Sequence, residues 1–224
     1  MARIHGMAGE SARVWGTVLG LWPLFLGVFA LGFSTAVGLA APRWGVALGV
    51  VSGLGILWCL QRGIRRVERY FKGARGEERV SEILKGLPDA YHVFNDMPVG
   101  RDRVDHVVVG PGGVFSIETK CWGGHVTVEE GQVLLDGRPP DRSPLEQTVR
   151  EAAAVRETLA GLGWNGAVTP VLAFASDTFA AHRAEVRGTV VINACELKES
   201  FESDRVVIPP PELERLVSLM ESNS

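Results

Sequence analysis

Two long runs without a charged residue dominate the N-terminal part of the chain. The first run has 29 residues between Arg13 and Arg43, and the second has 17 residues, 44–60. A helix needs about 20 apolar residues to cross a bilayer, in a range of roughly 17–25. We therefore expect two transmembrane helices, at residues 14–37 and 44–60, joined by a tight turn that contains Pro42.

Two other structures could account for these runs: a cleaved signal peptide and a buried helical hairpin in a soluble protein. A signal peptide has a shorter apolar region and is not followed at once by a second apolar run. A helix on the surface of a soluble core has a polar face, and neither run shows one. Both alternatives are therefore disfavoured.

The distribution of basic residues predicts the orientation in the membrane. Arg3 and Arg13 precede the first run, and only Arg43 lies between the two runs. Five further basic residues follow the second run closely: Arg62, Arg65, Arg66, Arg69 and Lys72. Because basic residues accumulate on the cytoplasmic side, we expect a two-span protein of the cell membrane with both termini and the C-terminal domain in the cytoplasm.

The rest of the chain is long enough for one domain of ordinary size. We expect a membrane hairpin over residues 1–61, a basic juxtamembrane linker over residues 62–75 and one domain over residues 76–224. The three cysteines, Cys59, Cys121 and Cys195, show no metal-binding spacing and no disulfide framework. This usage fits a reducing compartment.

Charge limits the partners of the C-terminal domain. The first 61 residues hold three basic and one acidic residue, so 20 basic and 25 acidic residues remain, a net charge of −5. This balance excludes a generally basic nucleic-acid binder. The segment that begins at Arg62 and ends at Arg79 is locally basic, with seven Lys or Arg against three Glu. We favour contact with anionic lipids over contact with nucleic acid for this segment.

The order of the predicted elements indicates the fold class. A helix, a group of strands, a second helix, two apolar strands and a last helix follow one another. These elements are expected at about residues 76–87, 91–94, 103–109, 114–120, 125–128, 132–135, 144–162, 168–175, 188–192 and 211–220. The order predicts an α/β (α+β) domain, with one mixed central sheet flanked by helices.

The central hairpin carries an unusual pair of carboxylates. If Gly110 and Gly113 close its turn, residues opposite each other have numbers that sum to 223, and Asp105 faces Glu118. Like charges opposite each other destabilise a sheet, so we expect this pair to have a use. Side chains alternate along a strand, which puts Glu118 and Lys120 on the same face.

These residue types suit phosphodiester hydrolysis. Two carboxylates are hard oxygen ligands for Mg²⁺ or Mn²⁺, and such a cation can activate water and bind a phosphate oxygen. Lys120 would then orient the attacking water or stabilise charge in the transition state. The same residues could instead form a solvated strand-edge carboxylate and a weak surface ion pair.

Several ordered motifs resemble the nuclease-related domain (NERD) family of the restriction-endonuclease-like superfamily. The motifs are GARGEE at residues 73–78, VDHVVV at 104–109, GPGGVF at 110–115, IETK at 117–120 and SPLEQ at 143–147. The resemblance covers about residues 73–162 and weakens toward the C-terminus. Ser143 departs from the asparagine expected before the proline, although serine also caps helices.

The resemblance implies a role for each matching residue. Asp105 and Glu118 correspond to metal-binding acids, Glu77 to a helix acid that completes the metal site, and Lys120 to the catalytic lysine. Gln147 corresponds to a polar residue that faces the site from the next helix. Glu77 could instead be a helix N-terminal acid that favours the dipole.

We therefore expect a membrane-anchored, Mg²⁺- or Mn²⁺-dependent nuclease, with DNA favoured over RNA as the nucleic-acid partner and lipids contacted through the hairpin and the segment from Arg62 to Arg79. Two alternatives stay open. The domain could be a non-catalytic nucleic-acid-binding or protein-binding scaffold at the membrane, or a sensor that recognises lipids through its basic segment.

Overall fold

A computed structural model describes residues 1–100, 102–201 and 208–222, without the side chains of residues 63, 65 and 66. It divides the chain into two compact units. The helical unit is Ser11–Lys72, and the globular unit combines Met1–Glu10 with Gly73–Ser224.

Two long helices make up the helical unit. Helix α1 is Glu10–Ala40, and helix α2 is Pro42–Lys85, whose last part belongs to the globular unit. Both are long and apolar enough to cross a membrane by length and composition, and 11% and 6% of their most apolar windows are buried. The proposed linker, residues 62–75, is a continuous part of α2.

The turn between α1 and α2 depends on a close approach of two glycines. A Cβ atom on Gly45 would lie 2.3 Å from the Cα atom of Gly38. Because real Cβ atoms do not come this close to backbone, the two helices can meet at the turn only with small residues here.

A seven-stranded mixed sheet forms the centre of the globular unit. Its strands are β1 (Arg3–His5), β2 (His92–Val99), β3 (Asp102–Gly110), β4 (Gly113–Lys120), β7 (Val168–Phe174), β8 (Arg183–Val186) and β9 (Thr189–Asn193). The spatial order is β1-β2-β3-β4-β7-β9-β8. The pairs β1–β2, β4–β7 and β7–β9 are parallel, and the other neighbours are antiparallel. This mixed α/β architecture is the fold class that the element order predicts.

The first residues of the chain join the sheet. The predicted membrane segment of residues 1–61 included them, whereas the structure pairs β1 with β2, Ile4 lying opposite Val93. The backbone amides of Ala2 and Arg3 donate to the carbonyls of Lys85 and Tyr91, at 3.2 and 3.0 Å. The physical reason is that β2 would otherwise be an edge strand with unpaired backbone groups.

The β3–β4 hairpin has the register that the sequence predicts. Gly110 pairs with Gly113, and the ladder continues to His106 opposite Ile117. Every pair has numbers that sum to 223. Asp105 lies one position beyond the last of these pairs.

Helices cover both faces of the sheet. The end of α2 contributes Val80, Leu84 and Leu87 to a core with Val108 and Ile117. On the opposite face, helices α3 (Pro144–Gly161) and α5 (Pro210–Glu221) pack on the β3–β4 hairpin. The residues of this second core include Val107, Val109, Val114, Val155, Leu159 and Leu216.

The remaining described elements are small. Strands β5 (Val126–Glu129) and β6 (Gln132–Leu135) form a separate hairpin, and a 3-10 turn at Ala194–Glu196 precedes helix α4 (Leu197–Phe201). Helix α3 begins as predicted, because the Oγ atom of Ser143 accepts a hydrogen bond from the Glu146 amide at 3.3 Å.

Candidate functional site

The end of β4 places Glu118 and Lys120 toward α3. Their alternation with Ile117, which lies in the core on the α2 side, sends both side chains to the α3 side of the sheet. The Nζ atom of Lys120 donates hydrogen bonds to Glu118 Oε1 and to Gln147 Oε1, the latter at 3.0 Å. Three of the predicted site residues therefore contact one another directly.

Asp105 is held beside this group by the backbone of β4. Its Oδ2 atom accepts a hydrogen bond from the Thr119 amide at 2.7 Å. The carboxylate thus occupies the ladder position that a backbone carbonyl would fill if β3 continued its pairing. As a result, Asp105 is fixed next to Glu118 through the intervening peptide group.

The surroundings of Asp105 disfavour its negative charge. Burial raises the pKa of this carboxyl well above its usual range, and the charges of Glu118 and Glu77 raise it further. The hydrogen bond from Thr119 acts in the opposite direction. Carboxylates that repel one another in this way are common at functional sites, where a cation or a proton relieves the repulsion.

Glu151 is a buried member of the site that the sequence analysis did not identify. Its Oε1 atom accepts a hydrogen bond from Gln147 Nε2 at 2.8 Å, and its Oε2 atom is buried without a protein donor. Burial and the neighbouring Glu118 raise the pKa of Glu151 to about 8. The sequence did offer a signal, because Glu151 lies four residues after Gln147 and so on the same face of α3.

Glu77 reaches the same electrostatic environment from α2. Burial raises its pKa to about 7, followed by the charges of Asp96 and Glu118, while a backbone hydrogen bond from Gly9 and the charge of Lys120 lower it. Glu77 is also one of the charges that raise the pKa of Asp105. The N-terminal residues therefore support this carboxylate as well as the sheet.

A divalent cation fits these residues by donor type. Carboxylate oxygens are the ligands that Mg²⁺ and Mn²⁺ prefer, and the unpartnered Oε2 atom of Glu151 offers a further one. The spacing is wider than expected. Within the described residues, the oxygens of Glu77, Asp105 and Glu118 do not form a group of three that all lie within 4.8 Å of one another.

A comparison with known families places residues 72–175 in the nuclease-related domain, by a match to the model of that family. Every predicted site residue lies inside this range. Comparisons with curated proteins and with solved structures returned no match.

Proposed function

We propose that this chain, whose residues 72–175 belong to the nuclease-related domain family, is a membrane-anchored nuclease that hydrolyses phosphodiester bonds with the help of Mg²⁺ or Mn²⁺. The observation that carries the proposal is the direct contact of Lys120 with Glu118 and Gln147, beside Asp105 and Glu151. Nucleic acid is the proposed substrate, with DNA favoured over RNA.

Asp105 and Glu118 are the residues proposed to hold the cation, with Glu77 as a third acid and Glu151 as a further oxygen donor. The cation would supply a Lewis acid for a phosphate oxygen and a water molecule of lowered pKa. The carboxylates that repel one another in this site gain most from a divalent counter-charge. Their raised pKa values therefore support a cation site on energetic grounds.

Lys120 and Gln147 are proposed to act on the reacting groups. The Lys120 ammonium can donate to a nonbridging phosphate oxygen and stabilise the charge that develops there. Gln147 holds Lys120 through its carbonyl oxygen and Glu151 through its amide nitrogen, which fixes the direction of both side chains. When Glu151 is protonated it can also supply a proton to a leaving oxygen.

The two apolar helices support the membrane anchor. Their large apolar side chains are exposed, for example Phe25 at 74%, Val28 at 74% and Phe29 at 73%, and lipid would cover such surfaces. We place both termini and the nuclease-related domain in the cytoplasm, because basic residues flank the outer ends of the two spans.

The basic segment from Arg62 to Arg79 is proposed to contact anionic lipid headgroups. Arg62 lies over the ring of Trp58, with its Cζ atom 4.4 Å from the ring centroid, an arrangement suited to the membrane interface. Arg69 and Lys72 are exposed. The side chains of Arg65 and Arg66 lie outside the described residues.

Cleavage by the purified full chain in detergent tests the nuclease proposal. We expect labelled DNA to be cleaved with Mg²⁺ or Mn²⁺ and not with EDTA. Glu118→Gln and Lys120→Met should each lower the rate by about 100-fold or more, in line with the loss of one group that stabilises the transition state. Glu157→Gln, on the exposed side of α3, is the matched control and should keep the activity.

Equal activity of wild type, Glu118→Gln and Lys120→Met would show that the cleavage comes from a contaminant or from another site. RNA of the same sequence, run in parallel, decides between the two nucleic acids.

A second candidate function is a scaffold that binds nucleic acid or protein without cleaving it. The spacing favours it, because Glu77, Asp105 and Glu118 do not gather their oxygens into one tight group. Calorimetry discriminates between the candidates. A scaffold shows no heat with Mg²⁺ or Mn²⁺ and no cleavage, while it retains a nucleic acid or a protein.

A further inference from the structure

Two histidines and a glutamate meet at the β1 edge of the sheet, and none of them belongs to the candidate nuclease site. His5 lies in β1, His92 in β2 and Glu221 at the end of α5. One potential ligand atom from each residue can be chosen so that all three lie within 4.8 Å of one another. Elements that are far apart in the sequence thus bring three metal-ligating side chains together.

The distance between the two rings suits a metal ion. His5 Nε2 and His92 Nδ1 are 3.2 Å apart. Two nitrogen ligands of a tetrahedral Zn²⁺ ion are separated by about 3.3 Å, as follows from Zn–N bonds of about 2.0–2.1 Å. The nitrogens therefore already have the spacing that a shared ion requires.

Packing fixes the orientation of both imidazoles. The rings of His5 and His92 are nearly parallel, with centroids 5.5 Å apart and an interplanar angle of 12°. His5 also stacks on Phe94, with centroids 4.4 Å apart. Ligands that are held in place before binding lose less entropy when the ion arrives.

The third side chain can adapt. Glu221 Oε1 lies 3.6 Å from His5 Nδ1, and its side chain is 47% exposed. A cleft of about 450 Å³ beside it, lined in part by Arg3, His92 and Glu214, gives access from solvent. A short rotation of an exposed glutamate is enough to bring its carboxylate to the ion.

We propose that His5, His92 and Glu221 form a binding site for a divalent transition metal of the Zn²⁺ type, with water completing the coordination. Two imidazoles and one carboxylate are a ligand set that suits Zn²⁺ and leaves an open position. Ions such as Mg²⁺ prefer oxygen ligands alone, so this site differs in metal type from the nuclease site.

The protonation state of His92 agrees with this assignment. Burial lowers its pKa, and the charges of His5 and Arg3 lower it further. A metal binds the neutral imidazole.

The site would join the residues that precede α1 to the sheet and to the last helix. The ligands come together only in the folded globular unit, so binding stabilises that unit by mass action. A bound ion would hold β1, the strand that completes the sheet edge, in place.

Metal titration of the full chain in detergent, stripped with EDTA, tests the proposal. We expect one tight Zn²⁺ per chain by calorimetry, a higher Tm with Zn²⁺, and a visible Co²⁺ absorption spectrum. The double variant His5→Gln/His92→Gln should bind Zn²⁺ at least about 100-fold more weakly, since loss of even an outer-shell partner costs roughly 10–100-fold. Its Tm in EDTA, compared with that of wild type, shows that it still folds.

Two controls separate this site from other groups. His182, Cys195 and Glu196 form another potential ligand group, in which every residue has an exposed or half-exposed side chain. His182→Gln and Glu118→Gln should both leave the tight Zn²⁺ site unchanged. The proposal is overturned if wild type binds no Zn²⁺, if the double variant binds it as well as wild type, or if His182→Gln or Glu118→Gln removes the site.

Discussion

Glu151 and Glu118 bring two carboxyl groups together on the α3 side of the sheet, and only one positive side chain, Lys120, bonds to either of them among the described residues. At the scale of single residues, this excess of negative charge is the main property of the site. It makes the metal-free protein sensitive to pH and to small changes of side-chain charge.

Glu151→Gln should make the metal-free protein more stable at alkaline pH. The folded-state pKa of Glu151 is raised from 4.5 to about 8, so its carboxyl costs folding free energy progressively as the pH rises from about 4.5 to about 8. Glutamine keeps the hydrogen bond to Gln147 without the charge. We expect a gain on the order of 1 kcal/mol or more at pH 8, and little gain at pH 5.

Thermal unfolding in EDTA across this pH range measures the effect. Glu157→Gln, also on α3 but exposed, serves as the control because removing a solvated charge changes little. An unchanged pH slope in Glu151→Gln would contradict the raised pKa.

Strand β1 is the element whose role is least evident from its own sequence. It is short, yet its neighbourhood includes hydrogen bonds from Ala2 and Arg3 to the backbone and from Asn95 Nδ2 to the Gly6 carbonyl at 3.3 Å. Ile4 packs against the core on the α2 side. At the scale of elements, a segment that precedes the first membrane helix therefore completes the globular unit.

Deleting residues 2–8 should destabilise the globular unit. Each lost hydrogen bond is worth about 0.5–1.5 kcal/mol, so we expect a total loss of about 2–4 kcal/mol. For a domain of this size, a loss of 1 kcal/mol lowers Tm by about 2–4 °C. Met7→Ala, at a position that is 63% exposed, should keep the wild-type Tm. An unchanged Tm in the deletion would show that β1 contributes no stability.

The β3–β4 turn gives a second prediction at this scale. A Cβ atom on Gly110 would lie 2.2 Å from Cδ1 of the buried Tyr91 ring, whereas on Gly112 the nearest atom would be Tyr91 Oη at 3.4 Å. Gly110→Ala should therefore cost about 1–3 kcal/mol, as other overpacked core substitutions do, and Gly112→Ala should cost much less. Unfolding curves of the two variants, measured side by side, check this. Equal stabilities would mean that Tyr91 moves without cost.

At the scale of the whole molecule, the chain combines a membrane hairpin with a domain whose proposed substrate is hydrophilic. The positive-inside rule predicts that the turn near Arg43 and the globular unit lie on opposite sides of the membrane. Cys195, which is exposed in the globular unit, is a natural reporter for this arrangement.

A membrane-impermeant maleimide should leave Cys195 unlabelled in intact cells and label it after permeabilisation. In a Cys195→Ser background, an added Arg43→Cys substitution should be labelled in intact cells. The unmodified Cys195→Ser chain reports the background from Cys59 and Cys121. Labelling of Cys195 without permeabilisation would contradict the cytoplasmic placement.

The sequence alone determined what depends on local patterns. The charge-free runs specify two apolar helices, the Gly-Pro-Gly-Gly turn specifies the register of β3 and β4, and Ser143 and Pro144 specify the start of α3, because each rule involves residues that are close in the chain. The residue types at Asp105, Glu118 and Lys120 likewise pointed to the family that residues 72–175 match.

Only the tertiary structure decided which distant residues meet. It brought Glu151 against Glu118, joined β1 to the sheet and gathered His5, His92 and Glu221 at one edge. It also showed that Glu77, Asp105 and Glu118 lie more loosely than a shared ion had suggested. These outcomes depend on how helices and strands pack across the sheet, and no periodicity or spacing within a single segment encodes that packing.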